Sequence, residues 1–180
     1  PLNVLIIEPN KQLANECKRK NFTVIEKFIE DIKNNDLTNH KKVFTCFELF
    51  EHLTEPLLFL KQMYSIMSKD DILYLSTLTA SGIDIVLLGE HSKSINPPHH
   101  LNFLTISGIR EILGIAGFNK IDITTPGKLD IDILKNQSEQ INNPLAKNII
   151  SNLSDSEIPL AQEWIASNLL SSHVLVKCSR

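Results

Sequence analysis

Leu2 to Ile7 is apolar apart from Asn3, the pattern of a strand buried on both faces in a parallel sheet, and it stops at Glu8-Pro9-Asn10. Asn10 is placed to cap a helix whose Leu13, Ala14 and Cys17 share one face and which ends near Lys20. Thr23 to Glu26 reads as a second strand, and Lys42 to Phe47 as a third after a polar connector over 33–41. Thr54 is expected to cap the next helix, with Glu55 and Pro56 in its first turn and Leu57, Leu60, Tyr64 and Met67 as its buried stripe. Asp71 to Leu75 follows as a strand.

From Ser76 to Asn102 no period is sustained, which predicts a long loop with one helical turn, of the kind that often covers a site. Thr105 then caps a helix with Ile109, Ile112, Leu113 and Ala116 on its apolar face and Gly117 as its stop. Ile121 to Thr124 is a strand, and His173 to Cys178 is the last. Between them the chain turns helical, with starts at Asn143-Pro144 and Glu157 to Pro159. Strand and helix alternate up to Gly127, so the pattern predicts an α/β fold. We expect one domain over 1–180, with 127–170 as a helical insertion before the last strand.

Composition narrows the partners. A net charge of -3 and a pI near 6.1 leave no basic footprint for a phosphate backbone, so no nucleic acid is expected. No apolar run reaches the roughly 20 residues that span a bilayer, and no basic-then-apolar leader is present, so no membrane is expected either. Cys17, Cys46 and Cys178 are far apart and fit no metal-ligand spacing; a reducing cytoplasm suits them.

Glu8 is the first residue with a chemical reading, because an acid at the carboxyl end of a buried parallel strand can accept both hydroxyls of a cofactor ribose. Acids also end strands as plain turn residues. Glu51 and His52 follow the third strand, where they read equally as an N-terminal acid and cap neighbour of the next helix. His91, His99 and His100 cluster around Pro97-Pro98 in the long loop. With Glu90 they offer metal-ligand chemistry, but at a spacing that matches no familiar motif, and no metal is predicted.

Phe44 to Leu53, a strand running into Glu51-His52-Leu53, resembles the class I methyltransferases that use S-adenosylmethionine, in particular the small-molecule type with a Glu-His-Leu signature. The likeness continues through Ile72 to Ser76, Pro97 to Phe103, the helix ending in Ala116-Gly117-Phe118, and Thr125 to Asp130. It implies a Rossmann-like, mostly parallel sheet with helices on both faces and a terminal strand lying antiparallel beside the Lys42 and Asp71 strands. It implies too that Glu8 binds the ribose, that Phe28 and the main chain of Ile29 meet the adenine, and that Cys46 and Phe47 approach the methionine, with Glu48 adding charge near the sulfonium. Phe28 and Phe47 also suit a core. His100 and His99 fall on the acceptor side, as contact or base for a hydroxyl. The stretch from Thr125 to Asp130 is similar to one subgroup and points to a sugar or sugar-nucleotide as the small-molecule acceptor.

The family's glycine-rich cofactor turn has no counterpart here: the first of six glycines is Gly82 and no Gly-x-Gly occurs. The resemblance therefore implies a natural protein that extends upstream of Pro1, with the 180-residue chain itself inactive. The alternatives are a non-catalytic interaction module that forms a homodimer, or a nicotinamide-dependent oxidoreductase, which would share the acid at Glu8.

Overall fold

The short strands β1 (Leu5–Ile7) and β2 (Thr23–Ile25) run parallel, with Leu5 opposite Thr23 and Ile7 opposite Ile25, and form a sheet of two. Helix α1 (Lys11–Arg19) connects them, and the Asn10 side chain caps it by accepting the N–H groups of Gln12 and Leu13. Ala14 is the buried residue of α1, whereas Leu13, expected on its apolar face, is exposed. The computed structural model describes residues 3–180. Leu2, at the head of the predicted first strand, lies outside the described residues.

A second sheet holds β3 (Val43–Cys46), β4 (Ile72–Leu78), β5 (Lys120–Thr124) and β6 (His173–Ser179) in the order β3-β4-β6-β5. β3 and β4 are parallel, while β6 lies antiparallel between β4 and β5, with Val176 opposite both Leu75 and Ile123. The sheet is thus mixed rather than wholly parallel, in the way expected: three strands run one way and the inserted terminal strand reverses. That insertion is the topological feature the resemblance required of Val174 to Val176.

Side chains alternate across this sheet as a two-residue period demands. Leu73, Leu75, Val174, Val176, Cys178, Cys46 and Ile123 face a core closed by α2 (Pro56–Ile66) and α4 (Ile106–Ala116). The opposite face carries Val43, Thr45, Asp122 and Lys177, all exposed, so the covering by helices on both faces that the pattern predicted does not extend over these positions. Ile7 and Ile25 of the smaller sheet also pack against the core.

Two helix starts differ from expectation. Thr54 makes no cap; Glu55 holds the N-cap position without a side-chain bond, and Pro56 at the first turn supplies the fixed φ that starts α2. The buried stripe of α2 is Phe59, Leu60, Met63 and Ile66 with Met67, while Leu57 and Tyr64 are half-buried at its margin. Thr105 does cap α4, accepting the Gly108 N–H at 3.1 Å. Gly117 ends α4 at φ +112°, and a Cβ there would stand 2.9 Å from the Tyr64 ring, so both the turn and the packing require glycine.

The segment expected to be a long loop is partly folded. β4 continues to Leu78, and α3 (Ile83–Leu88) buries Ile85 and Leu88. Leu88 joins Ile131, Leu134, Ile141, Ile150 and Ile165 in a second apolar cluster, formed with α5 (Asp130–Asn136), α6 (Pro144–Asn152) and α7 (Ile158–Ser167). Among the described residues no helix is long and apolar enough to cross a membrane.

Candidate active site at the carboxyl ends of the strands

β1 ends at Ile7, and Glu8 follows it half-buried. Its main-chain N–H donates to Ile25 at 3.0 Å, which extends the pairing with β2. One carboxylate oxygen accepts the Asn10 N–H at 2.8 Å. The turn role and a ligand role are therefore compatible, since the second oxygen is not part of that bond. Phe28 is 62% exposed beside the turn after β2, so it takes no part in the core, whereas the adjacent Ile29 packs against it.

At the end of β3 the backbone bends sharply. Glu48 has φ +49°, a left-handed conformation uncommon outside glycine and asparagine. Ser76 of β4 holds it there: its main-chain oxygen and its hydroxyl both accept from the Glu48 N–H, at 3.3 and 3.1 Å, while the hydroxyl donates to the Glu48 carboxylate at 2.7 Å. His173 Nδ1 lies 3.7 Å from that carboxylate. Cys46 points into the core, and burial together with the nearby Glu51 charge pushes its thiol up to about 12, which excludes it as a thiolate nucleophile at neutral pH. Phe47 is exposed, so the core reading of this side chain does not hold.

Glu51 and His52 do not belong to the start of α2. They occupy a separate 3-10 turn over Phe50–His52, four residues before Pro56, so the helix-dipole reading fails. Glu51 is 1% exposed and accepts the Thr77 hydroxyl at 3.0 Å through Oε2. Its main-chain oxygen accepts the N–H groups of Leu101 and Asn102 at 2.7 and 3.1 Å. The Asn102 amide donates in turn to the carbonyls of Phe50 and Leu53. These bonds fasten the histidine-bearing segment onto the chain just beyond β3.

That fastening sorts the histidines. His52 Nδ1 donates to the His99 carbonyl at 2.7 Å, and His100 Nδ1 donates to the Ser94 carbonyl at 2.7 Å. The two rings lie 5.0 Å apart. His99 contributes its main chain here while its residue is exposed, and His91 and Glu90 sit exposed in the turn after α3. Glu51, His52 and His100 therefore form the cluster, a grouping that spacing alone concealed because 47 residues of intervening chain separate His52 from His100.

A surface depression of about 510 Å³ is lined by Pro126, Gly127, Ile158, Gln162 and neighbours on the helical insertion, and includes no residue from these strand ends.

The comparisons agree with this architecture. A family described as a methyltransferase domain matches residues 7–123. Among solved structures, a methyltransferase from Thermotoga maritima that uses S-adenosylmethionine is similar at a TM-score of 0.58 and 12% identity, over 97% of this chain and 72% of that one. One from Archaeoglobus fulgidus is similar at 0.56 and 14%, over 98% and 75%. The plantazolicin methyltransferase BamL, solved with S-adenosylhomocysteine, is similar at 0.55 and 12%, over 99% and 68%. No curated protein matches the chain by sequence. The nicotinamide alternative gives way to this match, and the chain belongs to the methyltransferase-domain family.

Proposed function

We propose that this domain serves methyl transfer from S-adenosylmethionine to a hydroxyl of a small-molecule acceptor. Glu8 and the Phe28-Ile29 turn take the nucleoside half of the donor, the Cys46 to Glu48 turn takes the amino-acid half, and His100 and His99 take the acceptor side. The observation that supports the reading is the pinning of segment 99–102 to Glu51 and His52, which sets His100 beside His52 just beyond β3, the strand that Glu48 also follows. Open α/β sheets bind ligands at that edge.

Methyl transfer from a sulfonium is an in-line displacement on an activated carbon, so orientation in a water-poor site supplies much of the rate. The hydroxyl proton must leave as the oxygen bonds carbon and the carbon–sulfur pair returns to sulfur. An imidazole suits that removal because its pKa lies near neutral pH.

A sugar acceptor gains no support from Thr125 to Asp130. Thr125 donates to the Ala166 carbonyl, Gly127 accepts from Gln162, and Asp130 accepts from Ser171, Ser172 and Gln162, so this stretch holds the helical insertion in place. Titration with S-adenosylhomocysteine, followed through backbone amide shifts, tests the assignment. Perturbations centred on Glu8, Ile29 and Cys46 to Glu48 support it. Perturbations centred on the depression beside α7 overturn it.

A further inference from the structure

We propose that Glu51, His52 and His100 form a binding site for one divalent transition-metal ion of borderline softness, such as Zn²⁺ or Co²⁺. Each residue offers one ligand atom, and all of these atoms lie within 4.8 Å of one another. Two imidazoles and one carboxylate are a donor set that suits such ions.

The tautomers carry the argument. A carbonyl oxygen only accepts, so the bonds to the His99 and Ser94 carbonyls place the proton of each neutral ring on Nδ1. The Nε2 lone pairs of His52 and His100 are thereby left for a ligand. Metal-binding histidines are oriented in just this way, their far N–H held by a main-chain carbonyl. The carboxylate is prepared similarly: Thr77 engages Oε2, and Oε1 is the oxygen nearer His52, 4.0 Å from a ring nitrogen. That separation is too long for a hydrogen bond, so the His52 and Glu51 donors face each other with no proton between them, and the His100 ring lies 5.0 Å from that of His52.

The fit requires a small closure. Ligands bound at about 2.0 to 2.2 Å in a tetrahedral site stand roughly 3.4 Å apart, so the 4.0 Å between His52 and Glu51 must contract by about 0.6 Å and any pair at the 4.8 Å limit by about 1.4 Å. His52 can provide this by ring rotation, since its side chain is 41% exposed, while buried Glu51 forms the fixed floor. Three protein ligands leave a coordination position open to water or another oxygen ligand; with the ion bound, both nitrogens of His100 are engaged and the acceptor-side base is His99. His91, His99 and Glu90 take no part, in contrast to the grouping that the loop sequence offered.

Zinc calorimetry and cobalt absorption on the chelator-stripped chain test the site. One equivalent of Zn²⁺ should bind, Co²⁺ should give visible d–d bands, and His52→Gln or His100→Gln should each weaken binding at least about tenfold, while His91→Gln leaves it unchanged. Because a substitution can disturb the fold, Co²⁺ broadening of amide signals in the unsubstituted chain gives an independent reading, expected to centre on Glu51, His52 and His100. Broadening centred on His91 or His40, binding that survives in the His52→Gln/His100→Gln pair, or no stoichiometric binding to the folded chain would each overturn the proposal.

Discussion

Asp71 accepts the main-chain N–H of Lys42 at 2.7 Å and pairs with the ammonium of the same residue at 3.0 Å, so one carboxylate joins the starts of β3 and β4. It also accepts the Ser68 N–H at 2.8 Å, which closes the turn leading into β4. Burial alone would raise its pKa, but the bonds from Ser68 and Lys42 outweigh that effect and hold the carboxyl below its ordinary value.

The consequence for stability has a defined sign. A group with a depressed folded pKa contributes stability above its unfolded value, near 3.9, and loses it as the pH falls through the folded value. Asp71→Ala should cost about 3 kcal/mol at pH 7, since it leaves the Lys42 and Ser68 amides without their acceptor and a largely buried ammonium with only the Thr38 and His40 carbonyls. Urea unfolding from pH 7 down to pH 2 checks this: the difference between the two proteins should shrink with acid, and a constant difference would show that the charge is irrelevant.

Asp84 behaves in the opposite way. It lies in the first turn of α3 at 1% exposure, and neither carboxylate oxygen has a hydrogen-bond partner among the described residues. Burial, with the Asp130 charge nearby, raises its pKa, so the ionised form opposes folding and the opposition fades as the pH falls. Asp84→Asn should stabilise the chain by about 1 kcal/mol at neutral pH. Thermal melts at pH 7 and pH 4 should show the gain narrowing with acid; a loss at pH 7 would mean that the carboxylate has a partner in solution.

Gly127 lets α5 and α7 close on β6. A Cβ there would stand 1.9 Å from the Ser171 hydroxyl and 2.9 Å from Asp130 Oδ2, and the other oxygen of that carboxylate, Oδ1, accepts the Ser171 hydroxyl at 2.9 Å. Gly127→Ala should therefore cost about 2 kcal/mol through forced displacement of that pair. Denaturant melts measure the loss, and amide exchange should place the loosening at Ser171 and Ser172 rather than at α2 or α4.

The sequence was most legible where one signal dominated. Asn10, Thr105 and Gly117 were readable because a cap or a left-handed stop needs particular side chains, and β6 because its alternation is clean. α3 was not, since Ile83 to Leu88 is a run of six residues, five of them aliphatic, with no helical period until Leu88 meets the insertion. The Thr54 cap failed because Pro56 starts the helix by its own geometry. Glu8, Glu48 and His100 were recognisable as candidates, yet the Glu51, His52 and His100 cluster depends on the fastening of Leu101 and Asn102 to the Glu51 carbonyl, a contact across about fifty residues that no local pattern encodes.

The strength of donor binding by this 180-residue chain follows from which groups reach the strand ends. Glu8 has an oxygen outside its turn bond, and the Glu48 turn is held by Ser76, so the groups proposed for the ribose and amino-acid contacts are in place to be tested. The sequence contains no Gly-x-Gly, however, and β1 and β3 belong to separate sheets, so no glycine turn among the described residues joins them as a backbone cradle for the methionine. Each charge-assisted bond forgone costs about 1.5 to 3 kcal/mol, and two of them lower affinity by roughly two to four orders of magnitude. Calorimetry should therefore find S-adenosylmethionine binding far weaker than micromolar, and weaker again in Glu8→Gln. Micromolar binding would show that the strand ends suffice without the glycine turn; unaltered binding in Glu8→Gln would remove Glu8 from the ribose site.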